Sequence, residues 1–303
     1  MARFPTATTP SDADGFGLWI TCPHCGRTLR DRDEARGLHV CSSCGHHLRL
    51  GAAARLRTLL DHGRWTEHDA GLASADPLAF TDQTPYPTRL QAGSAATGLR
   101  DAVIAATGTI GGLTIEAVAM EFGFIGGSLG LVAGEKIARA AERALAGHRP
   151  LVIVCASSGA RVMEGTLSLV QMAKVSAWLG RLDRARVPYV TVLTDPTTGG
   201  VAASVAMLAD VIIAEPGACV GFAGPQAIER RGERLPQGFQ RSEYLLDHGM
   251  VDMVVDRREL SPTLARLLRF LGATSAVEQS GPATAADAAV GANPPGPLDL
   301  PLE

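Results

Sequence analysis

The sequence predicts an α/β protein, a βαβ core around a largely parallel sheet, with a small cysteine-rich ribbon ahead of it. Three observations point there. From Leu151 to Pro216, apolar strand-like runs alternate with helical stretches across glycine-bearing turns, the pattern of right-handed βαβ crossovers. Just upstream, VIAATGTI and LTIEAVAM flank Gly111-Gly112, the two-residue turn of a β-hairpin. Four of the six cysteines fall in two CxxC pairs near the N-terminus.

In chain order, residues 1–17 read as a flexible leader, polar and without the apolar core of a signal peptide. Residues 18–50 hold too few apolar side chains to build a core of their own, so something other than hydrophobic burial must organise them. A short helical pattern from Ala52 to Leu60 opens the stretch 51–97, whose Pro77, Pro85 and Pro87 mark a connector. The main domain is expected over 98–272. After the hairpin, the loop GFIGGSLG leads to a helix from Glu135 to Ala146, closed by Gly147 and Pro150. Then come the strand LVIVCAS, the turn SSGAR, a long helix from Val162 to Leu182, the strand YVTVLTD, the turn PTTGG, the helix VAASVAMLA and the strand DVIIAEP. Residues 273–303, rich in Ala, Pro and Gly and carrying only acidic charge, read as a disordered tail.

The ribbon has a specific signature. Cys22, Cys25, Cys41 and Cys44 are spaced C-x2-C-x15-C-x2-C, and a glycine follows the second thiol of each pair, where a tight turn brings both sulfurs to one ion. Four thiolates describe a closed, structural Zn²⁺ site with no position for substrate or water. A redox CxxC comes singly at a helix start, so matched pairs argue against it. His24, His46 and His47 lie near enough to compete as ligands, but with four thiolates present they are expected around the site rather than on the metal.

Composition narrows the function. Lys plus Arg number 28 against 31 Asp plus Glu, a net charge of -3, and no apolar run approaches the roughly 20 residues of a membrane span. The protein is expected in the cytoplasm, away from membranes. Between Cys22 and Leu50 five Arg face three acidic residues without interleaved aromatics, a weak case for nucleic acid. No histidine falls between His148 and His248, which removes a Ser-His-Asp triad from the core, and there is no nucleophile elbow, dinucleotide fingerprint or P-loop. What remains is glycine at strand-to-helix junctions: Gly126-Gly127, Ser158-Gly159 and Gly199-Gly200. Such turns can aim backbone N–H groups at an oxygen that becomes negative, though any one pair alone could be a plain turn.

The motifs CPHCG, CSSCGHH, FGFIGGSLG, SSGAR, QMAK, VLTDPTTGGVAAS, IAEP, GFAGP and LPQGFQRSEYLLDHGMVDMVVDRRE, in this order from Leu18 to Leu260, resemble the β subunit of bacterial acetyl-CoA carboxylase carboxyltransferase. The resemblance implies a crotonase-like (ClpP/crotonase) core and the coenzyme A side of a site that makes malonyl-CoA from acetyl-CoA in fatty acid biosynthesis. It implies an α subunit in an α2β2 tetramer, a biotin carboxyl carrier protein bearing the biotin, and a biotin carboxylase. On that reading Gly199, Gly200, Ser158 and Gly159 carry catalysis, while Gly126, Gly127, Ala160 and Arg161 bind substrate. Lys174 in QMAKV is not a Met-Lys-Met biotin acceptor, and partners must supply biotin and ATP chemistry.

Two departures stand out: the family's SGGAR is SSGAR here, and a YxDRL-like stretch with a leading Lys is TPYPTRL. Arg161 can reach a coenzyme A phosphate or pair with Glu164 on the next turn. Met163, Leu167, Val170, Val175 and Trp178 exceed one core-facing stripe and suggest a partner surface. Alternatives are a carboxyltransferase for propionyl-CoA or another acyl-CoA, and a regulatory zinc-ribbon protein that binds nucleic acid.

Overall fold

The computed structural model describes residues 19–30, 38–224, 228 and 235–273; the expected leader, and the expected tail beyond Ala273, lie outside them. β1 (Trp19–Thr21) and β2 (Thr28–Arg30) pair antiparallel in the ribbon. The stretch expected as a connector, 51–97, holds α1 (Ala52–Leu59), β3 (Trp65–His68) and α2 (Tyr86–Thr97). β3 pairs antiparallel with β4 (Val103–Ile110), and α1 buries Leu56 and Leu59, so this stretch is part of the sheet and its cover. The four residues WTEH are short and mostly polar, too weak a pattern to announce an edge strand.

β4 and β5 (Leu113–Met120) form the expected hairpin. Gly111 and Gly112 stand at φ 55 and 79, the left-handed pair that a tight turn of this kind demands. Asp61 caps the turn: its carboxylate accepts the N–H groups of Gly111 at 2.9 Å and Gly112 at 2.8 Å.

The expected alternation follows as α3 (Leu131–Ala146), β6 (Leu151–Ser157), α4 (Thr166–Arg184), β7 (Tyr189–Thr198), α5 (Gly199–Ser204) and β8 (Val211–Ala214). β9 (Val220–Gly221), α6 (Ser242–Asp247), β10 (Met253–Val254) and α7 (Leu260–Phe270) complete the core. The strand order is β10-β8-β7-β6-β5-β4-β3, with β9 beside the end of β7, and every pairing from β5 to β10 is parallel.

Strand periodicity splits the core into two layers. Val103 and Ala105 of β4 face Ile137, Val175 and Leu182 from α3 and α4, whereas Ile104 and Ala106 face Leu56, Leu264 and Leu268 from α1 and α7. Each such fully buried leucine or isoleucine contributes about 1.5–3 kcal/mol. Helices on both faces explain why the strands read as continuous apolar runs.

Two elements differ from expectation. α4 begins at Thr166, after a 3-10 turn at Val162–Glu164 and Gly165 at φ 51. α5 stops at Ser204 and gives way to a 3-10 turn at Ala206–Leu208, instead of running through VAASVAMLA. The cause lies in β7, where the Tyr189 hydroxyl donates to Val205 O at 2.9 Å and the Thr191 hydroxyl to Ala206 O at 2.9 Å. These bonds tie to the sheet the carbonyls that a longer helix would use itself. Among the described residues no helix is long and apolar enough to cross a membrane.

Candidate functional site

In the ribbon, two matching turns present the cysteines. Gly26 donates to Cys22 O at 2.9 Å and Gly45 to Cys41 O at 2.8 Å, with both glycines left-handed at φ 71 and 73. The four Sγ atoms lie within 4.8 Å of one another, Cys22 to Cys44 at 3.7 Å and Cys25 to Cys41 at 3.9 Å. A tetrahedron with metal–sulfur bonds of ~2.3 Å has edges of about 3.8 Å, so the thiols fit one tetrahedral ion. The histidines stay off it. His24 and His46 stack on each other with centroids 5.6 Å apart, and His47 turns to the core, 3.5 Å from Glu215 and 3.4 Å from Asp256.

The three glycine junctions come together. Ser158 N donates to Gly126 O, Leu129 N to Gly159 O and Arg161 N to Leu129 O, all at 2.8–2.9 Å, so the glycine loop and the SSGAR turn are laced side by side. Gly159 and Gly199 then meet back to back: a Cβ on Gly199 would stand 3.0 Å from Gly159 Cα, and one on Gly159 would stand 3.1 Å from Gly199 Cα. Gly127 is tighter still, since a Cβ there would lie 2.0 Å from Ala156 O. Close backbone approach therefore requires these glycines before any chemistry does.

The N–H groups are not all available. Gly127 donates to Phe124 O, Gly199 to Phe222 O and Gly159 to the Ser157 hydroxyl, each at 3.0 Å. Among the described residues, Gly126 and Gly200 are the glycines of these junctions whose N–H groups keep no protein acceptor. The expectation that Gly199 and Gly200 both turn an N–H to substrate is corrected for Gly199. A side chain at Gly200 would meet helix α4 first: a Cβ there points at Met172 Sδ, 2.3 Å away, with Ala160 Cβ at 3.6 Å. Ser158 is exposed, and its Oγ would lie 2.7 Å from a Cβ on Gly126, so the hydroxyl stands over that glycine.

Of the two roles open to Arg161, the fold gives it pairing. Its side chain is 0% exposed, which places the guanidinium out of reach of a solvated phosphate. It bonds Asp101 Oδ2 at 2.6 Å, Ser128 O at 2.7 Å, Ser74 Oγ at 2.9 Å and Ser128 Oγ at 3.0 Å, with Glu164 at 3.4 Å. Burial opposes its charge, but the Asp101 carboxylate holds the guanidinium protonated. Glu164 in turn accepts the Tyr86 hydroxyl at 2.5 Å and Leu131 N at 2.5 Å, capping α3. Only the Glu164 partner was legible, from its i,i+3 spacing; Asp101, Ser74 and Tyr86 come from distant segments.

Sequence reasoning also missed Glu215. Its side chain is 2% exposed and takes Arg55 and Arg257 together in two-pronged ion pairs. Burial pushes its carboxyl up, yet Arg257, Arg55 and His47 hold it well below the usual range. Neighbouring the ribbon, a cleft of about 440 Å³ is lined by Pro23, His24, His46, Arg49, Asp195 and Arg241. Ribbon residues thus form one wall of this cleft, and Asp195 of β7 lines it from the core side. Of the two lone cysteines, Cys155 is fully buried in β6, which pushes its thiol up to about 12.

The parallel sheet and its three glycine junctions lie within residues 61–255, which match the model of the family "Carboxyl transferase domain" and so define the chain as a carboxyl transferase. The "Acetyl-coenzyme A carboxylase carboxyl transferase subunit beta" of Pelobacter propionicus is 50% identical over 256 residues, covering 84% of this chain and 90% of that protein. The chain belongs to this family of carboxyl transferase β subunits and has its crotonase-like fold. Among solved structures, a Pseudomonas malonate decarboxylase hetero-tetramer with malonate is 26% identical with a TM-score of 0.61, covering 80% of this chain and 88% of that one. Transcarboxylase 12S with methylmalonyl-coenzyme A and methylmalonic acid is 26% identical with a TM-score of 0.61 over 73% of this chain. This chain spans 42% of that larger one.

Proposed function

We propose that the chain forms the coenzyme A side of a carboxyltransferase site and makes malonyl-CoA from acetyl-CoA with carboxybiotin as carboxyl donor. The observation that carries this is the convergence of the three glycine junctions, with the N–H groups of Gly126 and Gly200 left uncommitted. As the acetyl methyl loses its proton, negative charge moves to the thioester oxygen, and these N–H groups stabilise it there. Each donor of this kind lowers the barrier by on the order of 3 kcal/mol. Carboxybiotin on a partner would supply the carboxyl group, and its ureido nitrogen, once that group has left, would be the base that takes the methyl proton, so the residues here need supply only the charge-stabilising donors. Ser158 adds a hydroxyl beside Gly126, and Ala160 lies against the Gly200 turn.

Cys22, Cys25, Cys41 and Cys44 hold a structural Zn²⁺ on this reading, and a cytoplasmic, reducing setting keeps their thiols available. An α subunit brings the carboxybiotin side in an α2β2 assembly, and a carrier protein and a biotin carboxylase charge the biotin. The partner face is narrower than the stripe expected on the long helix. Met163 and Val175 are buried, whereas Val162, Leu169 and Val170 are 73%, 51% and 55% exposed, with Leu78 nearby at 51%. The test is reconstitution: malonyl-CoA should appear only when the α subunit and charged carrier are added, and acetyl-CoA should outrun propionyl-CoA. Malonyl-CoA from the purified chain alone, or faster turnover of propionyl-CoA, overturns the proposal.

A further inference from the structure

We infer that Glu215, with Arg55 and Arg257, couples metal occupancy of the ribbon to the strand end that leads into Gly199-Gly200. The inference rests on the reading of the four cysteines as a metal site. Arg257 is the bridge. Its Nε and Nη2 bond Glu215 at 2.8 and 2.7 Å, while its Nη1 donates across to the ribbon, to Leu38 O at 2.8 Å and His39 O at 3.2 Å. Leu38 and His39 are consecutive non-glycine residues at φ 60 and 56, a conformation that side chains avoid unless the surroundings impose it. The Arg257 guanidinium donates to both carbonyls, and Leu48 N donates to His39 O as well, at 2.9 Å.

The cluster grips the second cysteine pair from both sides. Val40 bridges to His47, and Cys41 N bonds His46 O at 2.8 Å, so Cys41 and Cys44 lie in a loop whose ends are residues 38–39 and His47. The first end rests on Arg257, and His47 packs between Glu215 and Asp256. Two buried guanidiniums on one carboxylate leave surplus donors and surplus positive charge, which the ribbon carbonyls of Leu38 and His39 help to offset. The cluster is complete only when the ribbon loop is ordered, and metal orders that loop. On the core side Glu215 N donates to Leu193 O at 2.9 Å, two residues before Asp195, whose Oδ1 accepts Cys219 N at 3.0 Å. An unseated ribbon is therefore felt along β7 up to the glycine turn, and by reciprocity a weakened cluster loosens the metal. Groups that orient metal ligands from outside the coordination shell typically change affinity by about 10- to 100-fold.

Arg257→Lys tests this in the full chain, since one ammonium can reach Glu215 or the ribbon carbonyls but not both; Glu215→Gln is the second variant. Zinc release to a chromogenic chelator and amide hydrogen exchange over residues 193–200 are followed with and without metal. Release should be about tenfold or more faster in both variants. Stripping the metal should raise exchange over 193–200 in the wild type, and raise it little further in Arg257→Lys. If both variants melt lower but release zinc at the wild-type rate, the cluster only stabilises the core and the inference is overturned. A wild-type chain that purifies without zinc overturns the metal reading itself, and zinc content separates that failure from the other.

Discussion

Gly200→Ala separates packing from chemistry at the glycine turn. The added Cβ would lie 2.3 Å from Met172 Sδ, well inside the 3.5–4.0 Å of an ordinary contact. Gly200 is not left-handed, so the backbone itself tolerates alanine, and the conflict must be relieved by moving Met172 or by moving the turn. Moving a half-buried methionine costs about 1–3 kcal/mol, seen as a fall of a few degrees in Tm. Moving the turn by about 1 Å costs up to two orders of magnitude in rate. Carboxyl transfer by the reconstituted complex should fall by roughly 10- to 100-fold, and Gly200→Ala combined with Met172→Ala should recover most of it. The reasoning is refuted if the double variant folds, keeps its zinc and stays as slow as Gly200→Ala, because the added methyl would then obstruct the substrate and not helix α4.

Three further outcomes follow from single contacts. Arg161→Met should lose about 3–5 kcal/mol, because Asp101 and Glu164 remain buried without their cation; denaturant melts that shift by under about 1 kcal/mol would contradict the pairing role. Cys41→Ser should drop the metal content well below one ion per chain by elemental analysis, whereas His24→Ala should leave it unchanged. Partial burial pushes the Asp61 carboxyl up, but the N–H groups of Gly112 and Gly111 hold it below its usual value. A lowered folded-state value means stability that is complete above about pH 4 and lost as pH falls through the folded value. Asp61→Asn should therefore flatten that acid limb in urea melts at pH 2–6, and an unchanged slope would count against the cap.

What was legible depended on whether the signal was local. Gly111-Gly112 between two β-rich runs pointed to a hairpin, and the paired CxxC spacing to four thiols gathered at one place. The alternation from Leu151 to Pro216 was equally plain because both sheet faces are covered, which leaves the strands uniformly apolar. The early end of α5 was not legible, since it depends on hydroxyls of Tyr189 and Thr191 that reach across from another element. The direction of an N–H group was hidden for the same reason: Gly199 and Gly200 read alike, but Phe222 O occupies only the first. Glu215 gave no warning either, its cations lying 160 and 42 residues away in the chain.

The seating of the ribbon also orders the birth of the molecule. Leu38 and Arg257 are 219 residues apart, so the cysteine turns leave the ribosome long before the residue that docks them exists. The four thiols can gather a metal ion early, because their turns are local, but the carbonyls of Leu38 and His39 must wait for the end of the sheet. A module made before the core is fastened only near the core's end, and a chain cut short before Arg257 lacks the donor that holds the carbonyls of Leu38 and His39.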